Sequence, residues 1–400
     1  MNPLQRLLSL SQEEKTRVGV EATPAEIAQQ PEMWSDSAGR LAEAASEVRR
    51  LLAELGLPGG TAEVVFSGAG SSHFIGRCLA GPVGAALGTR AVACSTTDIV
   101  THPEYAFPAD RPGLMVSFAR SGDSPESVAA MEIVLEERPQ VRHLVITCNE
   151  ESELTRRARQ AGERAQVLAL HPRTNDRGLA MTSGFTSMVV VGLGLARLDR
   201  IEEYRRLVDR LVTAGEEVLE VGPEIAETLI KRRPGQACFL GSGPLLGAAA
   251  ESHLKVQEMT DGRVPCLFDT FLGIRHGPRA AIHDDTLVGC FLASDPHVRR
   301  YELDLVRGNR EQRLGLAHLI VADRGEEVAH LADEVVTFDP EGRLRLPDQM
   351  LAPVHTIVGQ LLGLFASLEH GLRPDSPSAG GAIHRVVQGV TIYGRERKAR

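Results

Sequence analysis

Short apolar runs separated by helical stretches predict a parallel α/β protein, and two further observations predict that it is a duplicated one. The runs recur in matched pairs. Val64-Val65-Phe66 leads into Ser67-Gly68-Ala69-Gly70-Ser71-Ser72, and much later Ala237-Cys238-Phe239-Leu240 leads into Gly241-Ser242-Gly243-Pro244. Residues 113–117 are matched by 287–291, 143–147 by 318–322, and 166–169 by 334–337. The spacing repeats as well: Gly68 to Ser117 and Gly241 to Cys290 are both 49 positions. Four strands in one order at nearly one spacing read as two tandem copies of one unit. Each copy is then a mostly parallel, doubly wound sheet of the flavodoxin type, flanked by helices.

The elements follow in order. The leader, 1–45, contains Thr23-Pro24-Ala25-Glu26, which predicts a capping box with proline at the first helical position. The first unit, 46–200, closes with an apolar helix over about 182–198. Tyr204, Leu207, Val208, Leu211 and Val212 recur at helical spacing, so an amphipathic helix over 201–231 joins the units. The second unit, 232–372, closes with an apolar helix over about 350–370. Arg373-Pro374-Asp375-Ser376-Pro377 then breaks the chain into a tail, 373–400, expected to close the site. Mixed structure is expected to resume over 382–393, with Val386, Val387, Val390 and Ile392 packing on the surface.

Composition narrows the function. Across 400 residues, 42% are hydrophobic and 24% charged, an ordinary globular balance with enough apolar material for a large core. A net charge of −9 argues against a generic nucleic-acid binder, which needs a basic surface. The longest apolar run, 188–196, holds two glycines and is far short of a membrane span. The first residues carry no export signal. Cys78, Cys94, Cys148, Cys238, Cys266 and Cys290 form no CxxC pair and read as reduced structural thiols, which suits the cytoplasm. Neither a metal nor an organic cofactor is expected, for there is no HExxH and no cluster of zinc ligands.

In parallel sheets, ligands bind at the carboxyl ends of strands, where helix N-termini present free N–H groups to anions. Two first-half turns have that chemistry: 67–72, and Ser121-Gly122-Asp123-Ser124-Pro125-Glu126-Ser127, with Ser124 placed as N-cap and Pro125 behind it. Each alone is also what an ordinary turn needs; two at adjacent strand ends favour a phosphate site. No GK[ST] follows, so it is not a Walker loop, and Gly68-x-Gly70 lacks the third glycine of a dinucleotide fingerprint. That defect argues against a nucleotide-dependent oxidoreductase. The second half supplies other groups. On a predicted helix from Leu246 to about Thr260, Glu251, Lys255 and Glu258 share one face, as either an exposed ion-paired stripe or a working cluster. His276, between Arg275 and Gly277-Pro278, is either a loop filler or a catalytic group.

These motifs together resemble the sugar isomerase (SIS) domain family in duplicated form, over nearly the whole chain from about Thr23. Glu26-Ile27-Ala28-Gln29-Gln30-Pro31 resembles the family's opening helix, and 67–72 and 121–124 resemble its two phosphate loops. Residues 251–258 and 275–278 are similar to the catalytic helix and histidine loop in the isomerase half of glucosamine-6-phosphate synthase. Residues 118–127, 272–278 and 385–393 resemble one branch, that of tagatose-6-phosphate ketose/aldose isomerases or galactosamine-6-phosphate deaminases.

The resemblance implies that Ser71, Ser72, Ser121 and Ser124, with the backbone around Arg120 and Gly122, hold the sugar phosphate. It implies that Glu258 shuttles a proton between C1 and C2, that Lys255 supports the enediolate or enolamine oxygen, and that His276 assists ring opening. Such chemistry needs a positioned carboxylate and an acid/base group near neutrality. One departure bears on the reaction. The synthase forms a Schiff base through a lysine near its C-terminus, where this chain has Gln388; the nearest lysine is Lys398. Gln388 then falls among the substrate-binding positions, and a deaminase, whose substrate brings its own amine, is expected. His384 is either a sugar contact or a packing residue. The resemblance further implies a homodimer or higher oligomer in which His276 enters a neighbour's site. Non-catalytic SIS sugar-phosphate regulators exist, but Glu258, Lys255 and His276 are all retained and no helix-turn-helix is visible.

Overall fold

A computed structural model describes residues 1–107 and 111–394; Lys398 and the end of the tail lie outside the described residues. The first five strands are β1 (Glu63–Gly68), β2 (Ala91–Ser95), β3 (Gly113–Ala119), β4 (Val141–Thr147) and β5 (Ala165–Ala169). They pair in parallel in the order β2-β1-β3-β4-β5. The next five are β6 (Gln236–Gly241), β7 (Cys266–Asp269), β8 (Thr286–Phe291), β9 (Ala317–Ala322) and β10 (Glu334–Thr337). Their order, β7-β6-β8-β9-β10, is the same winding copied, with every pairing parallel. The duplicated, doubly wound expectation holds in both halves.

Helices cover both faces of each sheet, so inner strands must be apolar throughout rather than alternating. Every residue of β1, β3, β8 and β9 is buried, while the edge strands β2 and β7 are only half-buried. The halves share one core: Val64 and Phe66 belong to the same apolar cluster as Phe239, Phe291 and the closing helix Ala352–Glu369. The helices Ser71–Leu87 and Leu245–Met259 meet at this junction. A side chain on Gly247 would run into Cys78 Sγ, so only glycine permits the approach. The linker forms the helix Ile201–Ile230 and buries Tyr204, Leu207, Val208 and Leu211.

Two expectations change. A helix does begin at Thr23, but no capping box forms: Ala22 is the N-cap and has no side-chain bond. Thr23 Oγ1 instead donates to Asp375 at 2.7 Å, and Glu26 turns to the 177–178 backbone. Long-range partners outcompete the local cap. The tail forms no helix or strand over 373–394, and Val387, Val390 and Ile392 remain exposed.

Candidate active site

At the carboxyl ends of β1 and β3, where the strand order reverses, the chain must leave in opposite directions and a crevice opens. Gly70 takes φ 55° there, so the helix Ser71–Leu87 starts abruptly with Ser71 and Ser72 in its first turn. After β3, Gly122 takes φ 69°, and a Cβ on it would overlap Ser152 Oγ. The helix Pro125–Glu137 follows, with Ser124 as N-cap but without the usual side-chain cap bond, so its hydroxyl is free of the helix.

The crevice is a cavity of 340 Å³, within the range of ligand pockets. Its walls come from three places. The first-half loops contribute Ser71, Ser72, Arg120, Ser121, Gly122 and Ser124; the helix Leu245–Met259 contributes Lys255 and Glu258; the tail contributes His384 and Gln388. Of the predicted site residues only His276 is absent from it. It sits exposed on the short turn Gly273–His276, beside the exposed Leu272.

The Glu251, Lys255 and Glu258 face is a buried, ion-paired cluster rather than a solvated stripe. Lys255 is buried, and its Nζ lies 2.6 Å from Glu258 Oε2, 2.9 Å from Ser71 Oγ and 3.3 Å from Glu251 Oε1. Ser71 therefore anchors the lysine. Burial by itself would push the Lys255 ammonium down, but Glu251 and Glu258 hold it above the usual lysine range. Burial raises Glu251 to about 7, with Lys255 acting against that rise. Glu258 keeps the most open side chain of the three, at 24% exposure, and it lines the cavity together with Lys255.

Arg120 lines the cavity, yet its guanidinium is committed to backbone carbonyls: Gly178 at 3.2 Å, Leu179 at 2.9 Å and Arg385 at 2.6 Å. It braces the wall, leaving the loop N–H groups and serine hydroxyls as anion donors. Sequence reasoning missed Arg385, which lines the cavity while its Nε donates to Asp176 O at 2.7 Å. Ser127 was within reach, one turn beyond Ser124 on the same helix. Leu179 and Met181 carried no sequence signal.

Fold and cavity together define a tandem SIS protein of the phosphosugar isomerase type. The structure of an Escherichia coli tagatose-6-phosphate ketose/aldose isomerase superposes with a TM-score of 0.83 at 32% identity, covering 94% of this chain and 97% of that one. An AgaS protein from Streptomyces coelicolor is 39% identical over 376 residues, 93% of this chain and 95% of the relative. The Escherichia coli D-galactosamine-6-phosphate deaminase AgaS is 36% identical over 375 residues, with the same coverage. No protein-family model matches. The chain belongs to the AgaS family.

Proposed function

We propose that this cavity deaminates and isomerises D-galactosamine 6-phosphate to tagatose 6-phosphate and ammonia. The observation that carries the reading is the Lys255–Glu258 pair, 2.6 Å apart, facing two serine-rich turns at a parallel-sheet switch point. The relatives' names supply the substrate. The turns around Ser72, Ser121 and Ser124 take the phosphate on N–H and hydroxyl donors. Glu258 removes the C2 proton of the open-chain amino aldehyde while Lys255, redirected from one of its carboxylates, supports the C1 oxygen. The resulting enolamine is reprotonated at C1, giving an imine at C2. Water adds there and ammonia leaves, so one water is consumed for each ammonia released.

No tail lysine lines the cavity among the described residues, and Gln388 stands where a Schiff-base lysine is found in the synthase. A substrate that carries its own amine needs no such lysine, which supports the deaminase reading. A second reading, aldose–ketose isomerisation without loss of an amine, draws on the name of the Escherichia coli structure. Purified protein given galactosamine 6-phosphate, glucosamine 6-phosphate or tagatose 6-phosphate, assayed for ammonia and ketose, separates them. Ammonia from galactosamine 6-phosphate supports deamination; aldose–ketose exchange with no ammonia from any hexosamine phosphate replaces it.

The assembly is part of the proposal. His276, exposed and outside its own chain's cavity, completes the site of a second copy in a homo-oligomer. Mixing inactive Glu258→Gln and His276→Ala proteins then restores activity through hybrid sites. A fully active monomer excludes the shared site.

A further inference from the structure

Leader, tail and phosphate loop converge on one short segment, 175–179, which lies against the cavity wall. Its residues bond in three directions. Arg177 N donates to Glu26 Oε1 at 2.5 Å, and Gly178 N lies 3.3 Å from Glu26 Oε2. The carbonyls of Gly178 and Leu179 accept from Arg120, and Arg120 Nη2 continues to Arg385 O in the tail. Arg385 closes the circuit by donating to Asp176 O and to Asn175 Oδ1. We propose that Glu26 is a positioning residue for the substrate site: it holds the 177–178 backbone, on which Arg120 and, through it, the cavity's tail wall are set.

Glu26 is 7% exposed and lies on the helix Thr23–Ala28, whose own N–H groups it does not cap. Its carboxylate is therefore not needed by its own helix. The neighbouring carboxylates are occupied. Asp176 accepts from Thr182 N, Ser183 N and Gly184 N at the start of the helix Ser183–Gly194. Asp375 accepts from Ala22 N and Thr23 N and ties the leader to the tail directly. Burying a third carboxylate beside these two is costly where an apolar side chain would simply fill space. What the carboxylate supplies, and an apolar group does not, is two acceptors aimed at the segment whose carbonyls hold the Arg120 guanidinium.

The assay arm of the test rests on the proposed deaminase activity; the structural arm does not. Glu26→Ala should raise KM for galactosamine 6-phosphate roughly tenfold, as expected for leaving buried N–H groups without their acceptor, with kcat within about threefold. Amide hydrogen exchange should quicken at 379, 381 and 382, whose N–H groups are bonded within the tail, while both sheets stay protected. Glu26→Gln keeps one acceptor of the same length for Arg177 N and should return both readouts most of the way to the parent. Glu26→Asp, a fold-safe alternative with shorter reach, should fall between them. Unchanged KM and tail exchange in Glu26→Ala overturn the proposal. So does quickened exchange spread evenly over both sheets, which marks a merely structural group. A parent protein that releases no ammonia removes the deaminase reading and leaves the exchange result to decide Glu26's role.

Discussion

The carboxyl ends of β1 and β3 and those of β6 and β8 are the same place in two copies of one fold, and they have opposite chemistry. In the first half, Ser124 precedes Pro125 as N-cap and leaves its hydroxyl unspent on the helix. In the second, Asp295 precedes Pro296 and its carboxylate accepts from His297 N at 2.7 Å. A further carboxylate, Asp348, reaches in and accepts from Ser294 N at 2.6 Å and Asp295 N at 3.3 Å. Glu302 takes Ala293 N at 2.9 Å. The turn after β1 shows the same replacement. Gly68 and Gly241 each face the residue four positions on, which is Ser72 in one half and the buried Leu245 in the other.

The second half has thus occupied the N–H groups of its turn with its own carboxylates, while the first leaves its N-cap hydroxyl unspent. The catalytic side chains divide the other way. Lys255 and Glu258 lie 14 and 17 positions after Gly241; the same offsets from Gly68 reach Pro82 and Ala85. On the proposed assignment one half binds and the other supplies acid–base groups, brought together because the helices that follow β1 and β6 pack on each other.

The strongest test of this division is Glu258→Gln. It keeps shape and hydrogen bonding but removes the base, so kcat should fall roughly 10²–10⁴-fold while sugar-phosphate binding by calorimetry changes little. Near-normal turnover would break the assignment. Next, Ser121→Ala or Ser124→Ala should raise the dissociation constant of the sugar phosphate by about tenfold or more, with a smaller effect on kcat. Ser242→Ala, in the filled copy, should leave it unchanged. The same titrations should show one site per chain, and two equal sites would end the comparison.

Smaller effects concern the plug itself. Asp348→Ala leaves Ser294 N and Asp295 N without their acceptor and should cost about 1–3 kcal/mol of stability. Part of that loss should return when inorganic phosphate is added, through binding to the folded state alone. A melting temperature insensitive to phosphate would show that the donors no longer form a cradle. Smallest is the pH effect of Glu302, which burial raises from 4.5 to about 7. The folded state holds this proton more tightly than the unfolded chain, so its contribution is full below about pH 4.5 and is lost as pH rises through about 7. Glu302→Gln should therefore be more stable than the parent at pH 8, by roughly 1–2 kcal/mol. The gain should vanish toward pH 4.5, as thermal unfolding across that range will read.

The amino-acid sequence by itself determined the duplication, the parallel architecture, both serine- and glycine-rich turns and the Glu251–Lys255–Glu258 face, because periodicity, glycine turns and caps act within a few residues. It also identified His276, Gln388 and His384 as residues of interest. Only the tertiary structure decided which of these meet. His384 and Gln388 do line the cavity, and His276 does not. Thr23 and Glu26 look like a local cap, yet their partners lie 352 and 151 positions away. Arg120 lines the cavity as expected, but that its guanidinium reaches the tail depends on Arg385, 265 positions on, presenting its carbonyl. The Asp348 plug is likewise silent in the sequence, since a carboxylate in a turn gives no hint of which N–H groups will face it. Pairings made across the fold depend on how elements pack, and no local rule carries that information.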